Sequence, residues 1–166
     1  MAMSNTIESA GLDLPKALAA VASEARASKL FGAVTIDGEC LSCVAPSSAA
    51  PAFYEVRPEG TQLWVALVTE DRYLSQSIEQ DLIHSGDKLG DLLSDELIDV
   101  EHPNPIAPKV EHFRDAKKRF TFRSAVPAAD LAAGPAEAAR RLWLTLRAYE
   151  ACFSPLGGMR EAAGDD

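Results

Sequence analysis

The stretch Phe31–Val44 reads FGAVTIDGECLSCV and decides how the fold begins. Two runs rich in β-branched and apolar residues flank Asp37-Gly38, a dipeptide that tolerates positive φ and is typical of tight hairpin turns. We therefore expect one strand over residues 31–36 and an antiparallel partner over residues 39–44. The second run also contains a C-x-x-C spacing, which raises the question of whether the hairpin carries chemistry.

Cys40 and Cys43 are predicted to be ordinary strand residues. The expected turn pairs Ile36 with Glu39 and Thr35 with Cys40. Because alternate residues of a strand point to opposite faces, two cysteines three positions apart cannot share a metal ion or close a disulfide without breaking the strand. A redox pair would need a helix N-terminus, and a zinc site would need two more ligands. A redox or metal role is kept only as the alternative.

Outside this hairpin, the N-terminal half predicts one helix and two more strands. Asp13 precedes Leu14-Pro15 as a helix cap, and apolar residues at helical spacing continue to about Ser28. After a loop over residues 45–52, strands are expected at Phe53–Arg57 and Leu63–Val68. The second of these is nearly all apolar, which indicates a central strand.

The C-terminal half predicts two helices, a hairpin and a last helix. Leucines at helical spacing fill residues 70–101, and Gly86 divides them into two helices with Asp71 or Ser85 as caps. Strands at 109–114 and 119–124 flank a turn at 115–118. Gly134-Pro135 then opens the last helix, which ends near Pro155.

The element order is therefore α-β-β-β-β-α-α-β-β-α. The strands arrive as hairpins rather than as βαβ units, which predicts an α+β fold with helices packed on one face of an antiparallel sheet. We expect a single domain over residues 11–158, with flexible tails at 1–10 and 159–166.

Composition disfavours several classes of function. The 166 residues carry a net charge of −9, whereas nucleic-acid binders normally show a basic excess. No apolar run is long enough to span a bilayer, and the N-terminal residues lack the pattern of a secretory signal. Three cysteines imply no disulfide framework, so a cytoplasmic location is expected, with no nucleic-acid or membrane partner and no cofactor.

Residues 70–101 hold ten acids and two bases. A solvated helix face explains this bias most simply. The alternative is a docking surface for a basic segment of another protein.

Catalytic motifs are not evident. His84, His102 and His112 do not cluster by spacing, and the sequence has no nucleophile elbow, P-loop or dinucleotide fingerprint. Asp91, Asp95 and Glu96 suggest a solvated helix face more than a metal site. The enzyme alternative uses His112 or His84 as a general base beside an acid such as Glu111.

A basic and aromatic run follows the turn at 115–118. It contains Lys117, Lys118, Arg119 and Arg123, interleaved with Phe120 and Phe122. RNA-binding sheets use exposed aromatic side chains for base stacking. Both phenylalanines are expected to face the core instead, so RNA binding is kept only as an alternative.

Two longer stretches carry a family resemblance. One is LWVALVTEDRYLSQSIEQDLIHSGDKLGDLL, residues 63–93. The other is residues 110–153, a strand hairpin ending in FRSAVP and followed by a closing helix rich in leucine and aromatic residues. With the first helix, these resemble type III secretion chaperones and the bacterial YbjN-like proteins, whose fold is α-β-β-β-α-β-β-α. This chain has one more strand near its start, and two helices where that fold has one.

The resemblance implies a non-enzymatic, chaperone-like, homodimeric module that holds a segment of a partner protein. The candidates for partner or dimer contacts are Trp64, Trp143, Leu142, Leu146 and Tyr149. Of these, Leu142, Leu146 and Tyr149 are also expected to cover the sheet, and the two tryptophans to be partly exposed. A small-ligand-binding regulatory domain is the other alternative beside the enzyme.

Overall fold

The computed structural model describes residues 10–105 and 109–159. In this part of the chain the elements are α1 Leu14–Ser28, β1 Val34–Asp37, β2 Cys40–Val44, β3 Ala52–Glu59, β4 Gln62–Thr69, α2 Arg72–Ser85, α3 Leu89–Asp99, β5 Glu111–Arg114, β6 Phe120–Ala125, α4 Ala128–Leu131 and α5 Pro135–Phe153. The predicted order is confirmed. The short helix α4 was not predicted, because four residues are too few to show a helical spacing of apolar residues.

The strands form one antiparallel sheet in the order β1-β2-β3-β4-β6-β5. The predicted register of the first hairpin is wrong. Asp37 pairs with Cys40 and Thr35 with Ser42, because Gly38, at φ 63°, begins the two-residue turn instead of ending it. The slip amounts to two positions along β2, so every residue of that strand keeps its predicted face.

The predicted helix starts and breaks agree with the structure except at Ser85, which ends α2 and does not cap α3, since Lys88 precedes α3 without a side-chain cap. The Asp13 carboxylate accepts the backbone N–H of Lys16, and the Asp71 carboxylate accepts that of Leu74. Gly86 lies in the left-handed region at φ 78° and ends α2. Each cap satisfies a backbone group that a helix end leaves unpaired.

All of the longer helices pack on one face of the sheet, which confirms the predicted α+β architecture. A single core cluster joins residues of α1, α2, α3, α4 and α5 to sheet residues of one parity. On the sheet these are Leu41, Cys43, Ala52, Tyr54, Val56, Leu63, Val65, Leu67 and Phe122. Phe122 stacks against Phe153 of α5 with 5.2 Å between ring centroids.

The packed domain extends one residue beyond its predicted C-terminal boundary. Met159 is buried within the core cluster, although it was assigned to the C-terminal tail. At the other end Ala10 packs against the same cluster. The remaining tail residues lie outside the described part of the chain.

Candidate functional site

The face of the sheet opposite the helices is the candidate site, and we call it the open face. No residue of this face belongs to the core cluster of the described chain. Strand parity places on it the side chains of Phe53, Glu55, Arg57, Trp64, Ala66, Val68, Phe113, Thr121 and Arg123. An antiparallel sheet commonly leaves one face to water, but such a face is normally polar.

The middle of the open face is an arginine held between two aromatic rings. The Arg123 guanidinium lies 3.7 Å from the centroid of the Trp64 ring and 4.7 Å from that of Phe113. Its Nε donates to Glu111 at 3.1 Å, and its Nη1 contacts Glu59. Stacking and ion pairing together fix the guanidinium in place, so the aromatic rings are presented in a defined position.

Beside this stack lies an ion network that is mostly removed from water. Arg119 donates to Glu55 and to Asp115, each at 3.0 Å, and Arg57 lies 3.6 Å from Glu55. Glu55 is 5% exposed. Burial alone would raise the pKa of Asp115, but hydrogen bonds from the backbone N–H and guanidinium of Arg119 outweigh it and lower that pKa.

The ion pairs shield apolar residues beneath them. Val68 and Ala66 are 0% and 2% exposed, although no helix covers their face. Beside them is a depression of about 190 Å³, lined by Ser42, Phe53, Glu55, Val68, Thr69, Glu70 and Arg119. The open face therefore offers the half-buried rings of Phe53, Trp64 and Phe113, set among charges that are already paired within the chain.

The two edges of the sheet differ. At β1 the outward-pointing carbonyl of Val34 accepts Arg26 Nη2 at 3.0 Å, which closes that position. At β5 the Asp115 N–H bonds to the Arg119 carbonyl. Pairing alternates along the ladder, so the backbone groups of His112 and Arg114 point away from β6. Neither residue makes a further backbone hydrogen bond within the described residues, so the β5 edge is open at both of them.

His112 joins this edge to helix α2. Its Nδ1 lies 3.0 Å from Glu79 and its Nε2 lies 3.3 Å from the Ser75 hydroxyl, and its ring stacks on Phe122. Burial lowers the pKa of His112, and Glu79 partly opposes that shift. Glu111, named from the sequence as an acid beside His112, does not contact it: Glu111 points to the open face and binds Arg123. Spacing along the chain could not show that α2 crosses the end of β5.

His102 is a buried histidine whose two ring nitrogens both have hydrogen-bond partners. It is 5% exposed, its Nδ1 accepts the Asn104 N–H at 2.9 Å, and its Nε2 lies 3.2 Å from the Thr145 hydroxyl. Asp130, itself bound to Arg141, is 3.9 Å from the same nitrogen. Burial lowers the pKa of His102. Since hydroxyl and carboxylate approach one nitrogen, the arrangement lacks the geometry of a catalytic triad.

The sequence-predicted contact residues fall into two groups. Leu142, Leu146 and Tyr149 are fully buried between α5 and the sheet, and the Tyr149 hydroxyl is 2.6 Å from the Ser124 hydroxyl. Their packing role is confirmed, and they have no surface to offer a partner. Trp143 is half-buried against the core, while Trp64 lies on the open face.

The cysteines lie as predicted on opposite faces of β2. Cys43 is buried among the core residues and Cys40 is half-buried on the open face. Burial raises their pKa values to about 12 and about 11, respectively, so both are thiols at neutral pH. Over residues 10–105 and 109–159, no three His, Cys, Asp or Glu side chains are grouped to hold a metal ion. No helix in those ranges has the length and apolarity needed to cross a bilayer.

Comparisons with known proteins identify no relative. Neither a family model, nor a curated protein, nor a solved structure matches the chain. The resemblance to secretion chaperones and YbjN-like proteins therefore stays a prediction.

Proposed function

We propose that this protein is a non-enzymatic, chaperone-like binding module that works as a homodimer and holds an extended segment of a partner protein. One observation carries the proposal: the open face combines partly exposed aromatic rings with charges that are paired within the chain. Such a surface can accept peptide side chains at a small desolvation cost, because its ions already have partners.

The charge pairing on the open face also argues for a protein partner over nucleic acid. Arg57, Arg119 and Arg123 each contact a carboxylate. A phosphate backbone would have to break these pairs, and the chain's net charge of −9 opposes its approach. A peptide can use the rings of Trp64 and Phe113 without disturbing the pairs.

A phage-displayed library of unstructured peptides tests this function without knowledge of the natural partner. We expect enrichment on the wild-type protein, and loss of binding by synthetic copies of the selected peptides in Trp64→Ala and Phe113→Ala. Trp143→Ala is the matched control, because that indole lies on α5, away from the open face. Selected peptides that bind Trp64→Ala as well as wild type would contradict the proposal, as would no enrichment over a blank surface.

A second candidate function rests on the Ser75–His112–Glu79 contacts. A hydroxyl on one imidazole nitrogen and a carboxylate on the other is the arrangement of a nucleophilic hydrolase. Ser75 is only 2% exposed, so its hydroxyl is closed to a substrate in this structure. A fluorophosphonate probe decides the matter: an adduct on Ser75 that His112→Ala abolishes would favour the enzyme.

A further inference from the structure

The open edge at β5 is compatible with a second copy of itself. We propose that two subunits pair their β5 strands antiparallel about a twofold axis through Phe113, so that Arg114 of each subunit meets Glu79 of the other. The proposal rests on the homodimer in the proposed function and assigns its interface.

Backbone geometry restricts the possible registers. In an antiparallel ladder, residues whose backbone groups point outward must face one another to form the close hydrogen-bonded pairs. At β5 these residues are His112 and Arg114. A twofold axis through Phe113 sets His112 opposite the partner's Arg114 on both sides of the axis. Each of these pairs closes with two hydrogen bonds.

Side-chain chemistry then favours that register over its neighbours. Centring the axis on Arg114 would place two guanidinium groups directly opposite, which is destabilising. Centring it on His112 would set Arg114 against Val110, with no ion pair. With the axis at Phe113, the two Phe113 rings are cross-strand neighbours on the open face, and Arg114 comes beside the other subunit's His112.

The position of His112 brings Glu79 into the contact. Glu79 lies 3.0 Å from His112 Nδ1 and its side chain is 46% exposed, so it can accept the incoming Arg114 as well. Ile83, four residues further along α2 and on the same side of that helix, is 80% exposed. An exposed isoleucine beside an open sheet edge is an apolar contact that a second subunit would cover.

One pairing in this register sets two acids opposite each other. Glu111 would face the partner's Asp115 across the open face. Within its own subunit Glu111 is bound to Arg123 and Asp115 to Arg119, so each acid arrives already neutralised. The arginines that stabilise the open face thereby permit the two edges to meet.

Two charge reversals test the interface. Arg114→Glu and Glu79→Arg each create two like-charge contacts in a homodimer, and we expect each to weaken dimerisation roughly 30-fold. A mixed dimer of the two variants has two ion pairs, one in its wild-type orientation and one reversed, so mixing them should recover the wild-type affinity. Arg140→Glu is the control, because Arg140 lies on α5 and is paired there with Glu137. Sedimentation velocity gives the dissociation constants, and circular dichroism verifies that each variant folds.

The possible failures are distinguishable. A wild-type protein that stays monomeric at about 100 µM, a weak-binding concentration, would overturn both the interface and the homodimer. A dimer that both reversals leave unchanged, or that mixing the variants fails to restore, would overturn this interface and leave the homodimer standing. Peptide binding to the open face is measured separately through Trp64→Ala, because Trp64 lies on β4 and outside this interface, so it depends on neither result.

Discussion

The two faces of the sheet achieve burial in different ways. The face under the helices uses mainly apolar side chains, and the Tyr149 and Ser124 hydroxyls there satisfy each other. The open face buries residues such as Val68 under a layer of ion pairs and stacked arginine, with no helix above. The difference teaches that the helix-covered face is built for stability, while the open face keeps the rings of Trp64 and Phe113 partly exposed and available for contact.

The largest expected effect breaks the helix-covered face. Leu146→Ala removes a fully buried side chain between α5 and the sheet, and the lost burial together with the resulting cavity should cost about 3 kcal/mol. Urea unfolding measures the loss. Leu156, half-buried near the C-terminus, is the control position, and Leu156→Ala should cost clearly less. Equal losses at the two positions would contradict the assigned core.

The next effect breaks the open face. Glu55→Ala leaves the Arg119 guanidinium, which is 14% exposed, without its buried partner and should cost about 2 kcal/mol. Arg119 keeps its contact with Asp115 in that variant, so adding Arg119→Met should give a double variant that costs less than the sum of the two single losses. A double-mutant cycle in urea gives the coupling energy. Strictly additive losses would show that the pair does not hold this face together.

Mild acid should distinguish the two sides of the sheet. The pKa of His102 is lowered in the folded protein, so below the unfolded value of about 6.5 the unfolded chain binds more protons. The stability that the neutral His102 contributes to the folded protein is therefore lost as pH falls from about 6.5 toward the folded pKa. Asp115 on the open face has a lowered pKa too, and its contribution is lost only below about 4.

Unfolding free energies at pH 7.5, 6 and 5 test this order. His102→Gln should flatten the loss over this range, and His112→Gln should flatten a further part of it, because the pKa of His112 is also lowered. His84→Gln, at the end of α2, is the control. An unchanged slope in His102→Gln would show that the buried imidazole is not the group that titrates.

The smallest expected effect is a difference between the rates at which the two cysteines of β2 are alkylated. Iodoacetamide should modify native Cys40 slowly and Cys43 more slowly still, because the open face leaves Cys40 half-buried while the core encloses Cys43. Mass spectrometry of partly labelled protein measures the ratio. Labelling of Cys43 before Cys40 would reverse the assignment of the two faces.

Much of the fold could be predicted from local signals. The caps at Asp13 and Asp71, the break at Gly86 and the alternation through Phe122 are written in neighbouring residues, and the structure confirms each. The hairpin register was wrong because a turn dipeptide permits two alignments that local sequence cannot separate. Contacts across the fold were harder still. Glu55 and Arg119 are 64 positions apart, and Glu79 meets His112 only because α2 crosses the end of β5.

Trp64 was identified from the sequence as an exposed candidate, but its setting was not. Alternation in β4 puts it on the face opposite Leu63 and Val65, which the sequence shows. That Arg123 lies over its ring depends on the pairing of β4 with β6, and α2, α3 and β5 separate those strands in sequence. No short-range pattern reports which strands become neighbours across such an insertion.

Hydrogen exchange of the full-length protein at increasing concentration tests most directly whether this protein associates through the open edge at β5. The account predicts that the His112 and Arg114 amides gain protection as concentration rises, while the core amides of Leu67 and Phe122 stay unchanged. Protection at His112 and Arg114 that does not depend on concentration would contradict association through the β5 edge.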